Sequence, residues 1–165
     1  MTGERPDGRV REGRADDLPT LRAIQTAVLA EPWRELLSVA VDGPPVLLVA
    51  VESGGEPETE AESARDPAAP VGYALAITDG DGEAAYLAEL AVAPDSQGEG
   101  YGSALLDALV ERFRADGAAE LRVTVRLVDE RAREFYRERG FERRELLPDH
   151  YESGDGALLV RDLPR

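Results

Sequence analysis

Apolar residues recur along this chain with two different periods, and the places where one period gives way to the other mark its elements. Val46-Leu47-Leu48-Val49-Ala50-Val51 and Val71-Gly72-Tyr73-Ala74-Leu75-Ala76-Ile77 are short unbroken runs, the signature of buried strands. Leu18, Leu21, Ile24, Val28 and Leu29 instead return every three or four residues, which predicts a helix with Asp16 or Asp17 as its N-cap. Pro32 interrupts that pattern, and Trp33 to Val41 follows as a second short helix. Arg9-Val10-Arg11-Glu12-Gly13 stands before them as a first strand.

Past the turn Asp79-Gly80-Asp81-Gly82, a strand runs from Ala84 to Ala93. Leu105, Leu106, Leu109, Val110 and Phe113 then form one helical face, closed by Asp116-Gly117. Glu120 to Leu127 alternates as a strand should. Asp129 caps a helix bearing Ala132, Phe135 and Tyr136, which ends at Gly140 with Phe141 packing back. Phe141–Leu147 and Ala157–Leu163 supply two last strands. Strands first, then helix and strand in alternation, predict an α+β fold with a mixed α/β sheet. There is no internal repeat.

Two stretches carry too little apolar surface to fold. Residues 1–8 read as a disordered tail, and residues 53–70 as a disordered acidic insertion in a hairpin connection. Residues 9–165 are otherwise expected to form a single domain, a size that supports a real core.

Composition narrows the chemistry by exclusion. With no cysteine and one histidine, His150, there is no disulfide framework, thiol nucleophile, zinc cluster or serine–histidine triad to expect, and no metal site. No apolar run spans a membrane and no apolar signal segment opens the chain, so a cytoplasmic protein without membrane attachment is expected. The 34 acidic residues outnumber 19 basic ones, all arginine, for a formal charge of −15. Such a surface repels phosphate backbones, which argues against nucleic acid as a partner. It also suits a salt-rich setting in which charge repulsion is screened, a reading that stability measured against KCl would test. The oligomeric state is expected to be monomer or homodimer.

The stretch with the clearest chemistry is Gln97-Gly98-Glu99-Gly100-Tyr101-Gly102-Ser103, which links the strand ending in Leu90-Ala91-Val92 to a helix. A glycine-rich turn entering a helix presents unpartnered N–H groups and the positive end of the helix dipole, an anion site suited to a pyrophosphate. A Walker-type loop needs a lysine, which this chain lacks, and Ser103 replaces the third glycine of the dinucleotide fingerprint. The spacing Gln-x-x-Gly-x-Gly after Val-x-Pro resembles the coenzyme A pyrophosphate loop of the Gcn5-related N-acetyltransferases (GNAT). A second stretch, Asp129 to Phe141, is similar to that family's Asn-x-x-Ala-x-x-Phe-Tyr-x-x-x-Gly-Phe.

The resemblance covers about residues 9–163. It implies a central, mixed and mostly antiparallel sheet of about seven strands with about four helices, splayed at the cofactor site. It implies acetyl-CoA as cofactor and an amine-bearing substrate. Leu90, Ala91, Val92, Gln97, Gly98, Glu99, Gly100, Tyr101, Gly102, Ser103, Asp129 and Phe135 would then meet the cofactor. Asp129 departs from the family's asparagine; a carboxylate caps a helix but donates no hydrogen bond to pantetheine.

The same resemblance puts Tyr136 near the coenzyme A sulfur as candidate acid, the alternative being a plain core residue. Glu89 interrupts the run Tyr86 to Val92 and is the candidate base, or equally a solvated residue on the open face of the sheet. His150-Tyr151-Glu152-Ser153-Gly154-Asp155-Gly156-Ala157 resembles a stretch of the RimI-like branch, which acetylates protein N-termini. That implies Tyr151 as a substrate contact, with a strand-edge aromatic as the alternative. Small amines such as a polyamine, amino acid or antibiotic, or acyl-CoA sensing without turnover, remain rival functions.

Overall fold

The apolar runs become strands and helix faces in the computed structural model, which describes residues 9–29, 32–43, 45–52, 69–79, 81–152 and 154–164. The expected tail at 1–8 and most of the expected insertion, residues 53–68, lie outside the described residues. The strands are β1 (Arg9–Glu12), β2 (Val46–Val51), β3 (Pro70–Thr78), β4 (Ala84–Val92), β5 (Glu120–Arg126), β6 (Glu142–Tyr151) and β7 (Gly154–Asp162). The helices are α1 (Leu18–Val28), α2 (Arg34–Ala40), α3 (Tyr101–Ala115) and α4 (Glu130–Glu138). One mostly antiparallel sheet takes the order β1-β2-β3-β4-β5-β7-β6. The β4–β5 pair is parallel, and a parallel pair needs a crossover, which α3 supplies.

The chain divides into two compact units, Met1–Leu75 with Glu89–Leu109, and Ala76–Ala88 with Val110–Arg165. In the first, β1 pairs antiparallel with β2 from Arg9–Val51 to Glu12–Leu48. Leu21, Ile24, Leu37, Leu47, Val49, Leu75, Leu105 and Leu106 form its apolar interior. The expected capping of α1 is corrected here. Asp17 precedes α1 but makes no side-chain bond to it. Its carboxylate instead accepts both Arg11 guanidinium nitrogens, at 2.8 and 2.9 Å, and the Arg14 N–H at 2.8 Å. The charged partner six residues upstream and the Arg14 N–H, rather than an N–H of α1, occupy its oxygens.

This pair makes a prediction about acid stability. The Arg11 hydrogen bonds hold the Asp17 carboxyl below the usual carboxylate range. A lowered folded-state pKa means that the stabilisation is complete above the unfolded value, near pH 4, and is lost as pH falls through the folded value. Asp17→Asn should cost about 1–3 kcal/mol at pH 7 and cost less as the pH drops below about 4. Urea melts at pH 7 and pH 3 check this; an equal loss at both would contradict it.

In the second unit, β5 alternates strictly, with Leu121, Val123 and Val125 buried. It pairs antiparallel with β7 along its whole length, from Glu120–Asp162 to Arg126–Gly156. Its parallel register with β4 runs only from Ala84–Glu120 to Leu87–Val123, although both strands continue beyond those pairs. Gly117 and Gly140 end their helices at φ +88° and +91°, and Phe141 lies buried after the second of them. Several strand limits differ from expectation. β6 and β7 reach Tyr151 and Gly154 rather than stopping at Leu147 and starting at Ala157, because the hairpin between them closes tightly. β3 begins at Pro70, the last residue assigned to the insertion.

Candidate functional site

β4 delivers its end to the glycine loop through a short 3-10 turn, Pro94–Ser96. Ala93 N–H donates to the Val71 carbonyl at 2.7 Å, so the strand remains tied to β3 until it turns. Gly72 lets the two strands come this close. A Cβ built there would lie 2.9 Å from the Ala91 carbonyl oxygen and 3.2 Å from Val92 Cγ2. The Gln97 amide donates to the Val92 carbonyl at 3.0 Å, bracing the loop against the strand it leaves.

Gly98 and Gly100 have φ of +82° and +94°, conformations that favour glycine. Residues 97–100 are exposed, while Tyr101 is 6% exposed. The helix that follows has 15 residues and no acid in its first turn.

Glu89 is not solvated. It is 6% exposed, which removes the open-face alternative. Its Oε1 accepts the Gln25 amide at 2.9 Å and the Tyr73 hydroxyl at 2.8 Å, and its Oε2 accepts the Trp33 N–H at 2.6 Å. One carboxylate thus holds α1, the start of α2 and β3 to β4. Burial, and then the Glu89 charge, push the Tyr73 phenol above its ordinary range, so it stays a donor. Gln25 is fully buried and its Oε1 has no hydrogen-bond partner among the described residues. Sequence reasoning missed these partners. One signal was present: Gln25 interrupts the apolar stripe Leu21, Ile24, Val28 of α1, where a polar residue calls for a buried mate.

The second unit positions the other candidates. Asp129 accepts the Ala132 N–H at 3.0 Å and so caps α4 as expected. Phe135 is half-buried, with the Arg139 guanidinium 3.9 Å from its ring centre. Tyr136 is 7% exposed and meets Phe135 and Phe141 edge to face, at 5.1 and 5.2 Å between ring centres. Burial, then the nearby Asp129 and Tyr151, push its phenol above the ordinary range, so it keeps its proton. Tyr151 is half-buried at the end of β6, and its hydroxyl donates to Thr124 Oγ1 at 3.1 Å.

The predicted residues therefore fall into two groups, each held within one unit. Glu89, Leu90–Val92 and the loop 97–103 belong to the first; Asp129, Phe135, Tyr136 and Tyr151 belong to the second. Among the described residues, no group of three His, Cys, Asp or Glu side chains is placed to hold a metal, and no helix is long and apolar enough to cross a membrane.

Comparison with known proteins gives the family and the fold. Residues 18–141 match the model of the acetyltransferase (GNAT) family. An uncharacterized N-acetyltransferase of Methanocaldococcus jannaschii is 37% identical over 92 residues, a match spanning 54% of this chain and 57% of that protein. The ribosomal protein bS18-alanine N-acetyltransferase of Escherichia coli is 29% identical over 90% of this chain and 91% of its own length. Among solved structures, Ard1 from Thermoplasma volcanium shares the fold with a TM-score of 0.78 and 23% identity, over 96% of this chain and 99% of that one.

Proposed function

The chain belongs to the acetyltransferase (GNAT) family, and from that premise we propose that it moves an acetyl group from acetyl-CoA to a primary amine, favouring the α-amine of a protein or peptide N-terminus. The observation that carries the reading is the loop 97–103. Two glycines at positive φ place exposed backbone at the start of a long helix without a first-turn acid. That is a cradle for a pyrophosphate.

The residues fit the cofactor. N–H groups from Gly98 to Ser103 would hold the pyrophosphate, with Glu99 and Tyr101 contributing backbone alone. Gln97 keeps the loop in place from behind. Leu90, Ala91 and Val92 would lie along the pantetheine, and Asp129 and Phe135 would meet it from α4. Bound acetyl-CoA would supply the acyl group as a thioester.

The chain's own groups do the rest. A primary amine is mostly protonated at pH 7 and must lose that proton before it can attack. Glu89 would take it, directly or through water, using the capacity of Oε2 that the Trp33 N–H leaves free. Backbone N–H groups of Leu90–Val92 would stabilise the developing oxyanion. Tyr136 keeps its proton and would give it to the departing thiolate.

For the acceptor, support comes from the resemblance of the stretch around Tyr151 and from the Escherichia coli relative, a ribosomal protein bS18-alanine N-acetyltransferase. A panel tests it: peptides beginning with free alanine, the same peptides N-blocked but containing lysine, and polyamines, all in molar KCl. Turnover is expected only with the free α-amine. Turnover confined to polyamines would move the function to small-molecule acetylation. Coenzyme A binding without turnover would make the chain a sensor.

A further inference from the structure

Between Leu147 and Tyr151 the β6–β7 hairpin leaves its regular ladder, and one carboxylate holds the departure in place. Leu147 pairs with Gly156 and Tyr151 with Gly154, so Pro148, Asp149 and His150 all stand opposite Asp155. Asp149 takes a φ of +53°, the only non-glycine residue at positive φ among the described residues. A side chain bearing a Cβ resists that conformation, although aspartate tolerates it better than most. Its N–H turns onto Asp155, whose Oδ1 accepts it at 2.9 Å. Asp155 is itself anchored, because its carbonyl accepts the Leu127 N–H at 2.9 Å just past β5.

The bulge does little for the core, since residues 148–150 are all exposed. Strained backbone kept at an exposed edge points to function. What it sets is the next residue. The Tyr151 ring lies over Gly156: a Cβ built on that glycine would be 2.9 Å from Tyr151 Cε2 and 3.3 Å from His150 Cβ. Space explains glycine there, because Gly156 is not at positive φ. The far end of the ring is fixed by the bond to Thr124, and the His150 ring packs edge-on at 4.8 Å.

We propose that Asp155 is a positioning residue for the acceptor site: by holding the Asp149 N–H it locks the bulge that sets Tyr151 over Gly156 and Thr124, and so fixes how tightly the acceptor's first residue is gripped. The inference rests on the reading of Tyr151 as an acceptor contact. Asp155 acts through Tyr151 and touches neither the acceptor nor acetyl-CoA.

Steady-state kinetics with acetyl-CoA and the most active acceptor of the panel test the idea. Asp155→Ala should raise the acceptor KM about tenfold, the loss of one charge-assisted hydrogen bond, and leave kcat and the acetyl-CoA KM near wild type. Asp155→Asn keeps an acceptor oxygen at the same place and should restore most of the affinity. Asp149→Gly combined with Asp155→Ala should recover part of it, because glycine adopts φ +53° without strain. If Asp155→Ala does not fold, Asp155→Glu, which displaces the carboxylate by one methylene, is read in the same way.

An acceptor KM unchanged in Asp155→Ala but raised in Tyr151→Ala overturns the role of Asp155 and leaves that of Tyr151. An acceptor KM unchanged in both removes the reading of Tyr151 as well. Equal losses in kcat and both KM values would reduce Asp155 to a structural residue and overturn the proposal.

Discussion

Tyr136→Phe is expected to lower kcat about 100-fold while leaving the affinity for coenzyme A within about twofold of wild type. The substitution removes one oxygen and keeps the ring. The edge-to-face contacts with Phe135 and Phe141 at 5.1 and 5.2 Å therefore survive, and the fold with them. Loss of rate would report on proton donation rather than on packing. The same phenol is held above its ordinary range by burial, then by Asp129 and Tyr151. It therefore stays protonated through the working range, and no fall in the wild-type rate between about pH 7 and 9 should trace to it. Kinetics and calorimetric titration of coenzyme A measure both halves. An unchanged kcat would make Tyr136 a core residue.

Glu89→Gln should be costlier still, because one carboxylate serves two purposes. Gln25, Tyr73 and the Trp33 N–H all donate to it, and an amide in its place presents a donor to one of those donors. That mismatch should cost about 1–3 kcal/mol, or a melting temperature lower by several degrees for a domain of this size. Loss of the base should lower kcat/KM about 100- to 1,000-fold at pH 7. The two effects separate with pH. A variant lacking its base should recover rate as the solution rises toward the pKa of the acceptor amine, whereas a merely destabilised enzyme should not. A melting temperature lowered with no loss of rate would confine Glu89 to the structural knot.

The sequence was most legible where chemistry is local. The stretch from Gln97 to Ser103 is contiguous, Gly98 and Gly100 take positive φ, and a helix follows as read, although α3 already takes in Tyr101, Gly102 and Ser103. Asp129 is likewise a local cap and forms the bond expected of it. What could not be read is what long-range pairing decides. Glu89 was balanced between base and solvated residue because its partners lie 64, 56 and 16 residues away. Asp17 looked like a helix cap because the competing guanidinium of Arg11 comes from β1, and periodicity says nothing of such a pair. The hairpin limits moved for a similar reason. Apolar residues thin out after Leu147 and return at Ala157, yet cross-strand pairing extends β6 and β7 around a bulge. The positive φ of Asp149 had no sequence signal beyond the tolerance of aspartate for it.

The central claim is transfer to an amine, and the most direct measurement is to follow coenzyme A release from acetyl-CoA, in molar KCl, with and without a peptide beginning with free alanine, then to locate the new acetyl group by tandem mass spectrometry. The account predicts one thiol released per peptide acetylated, with the acetyl on the α-nitrogen and no release above background when that nitrogen is blocked. Release that is indifferent to the amine, or an acetyl group found only elsewhere on the peptide, would contradict it.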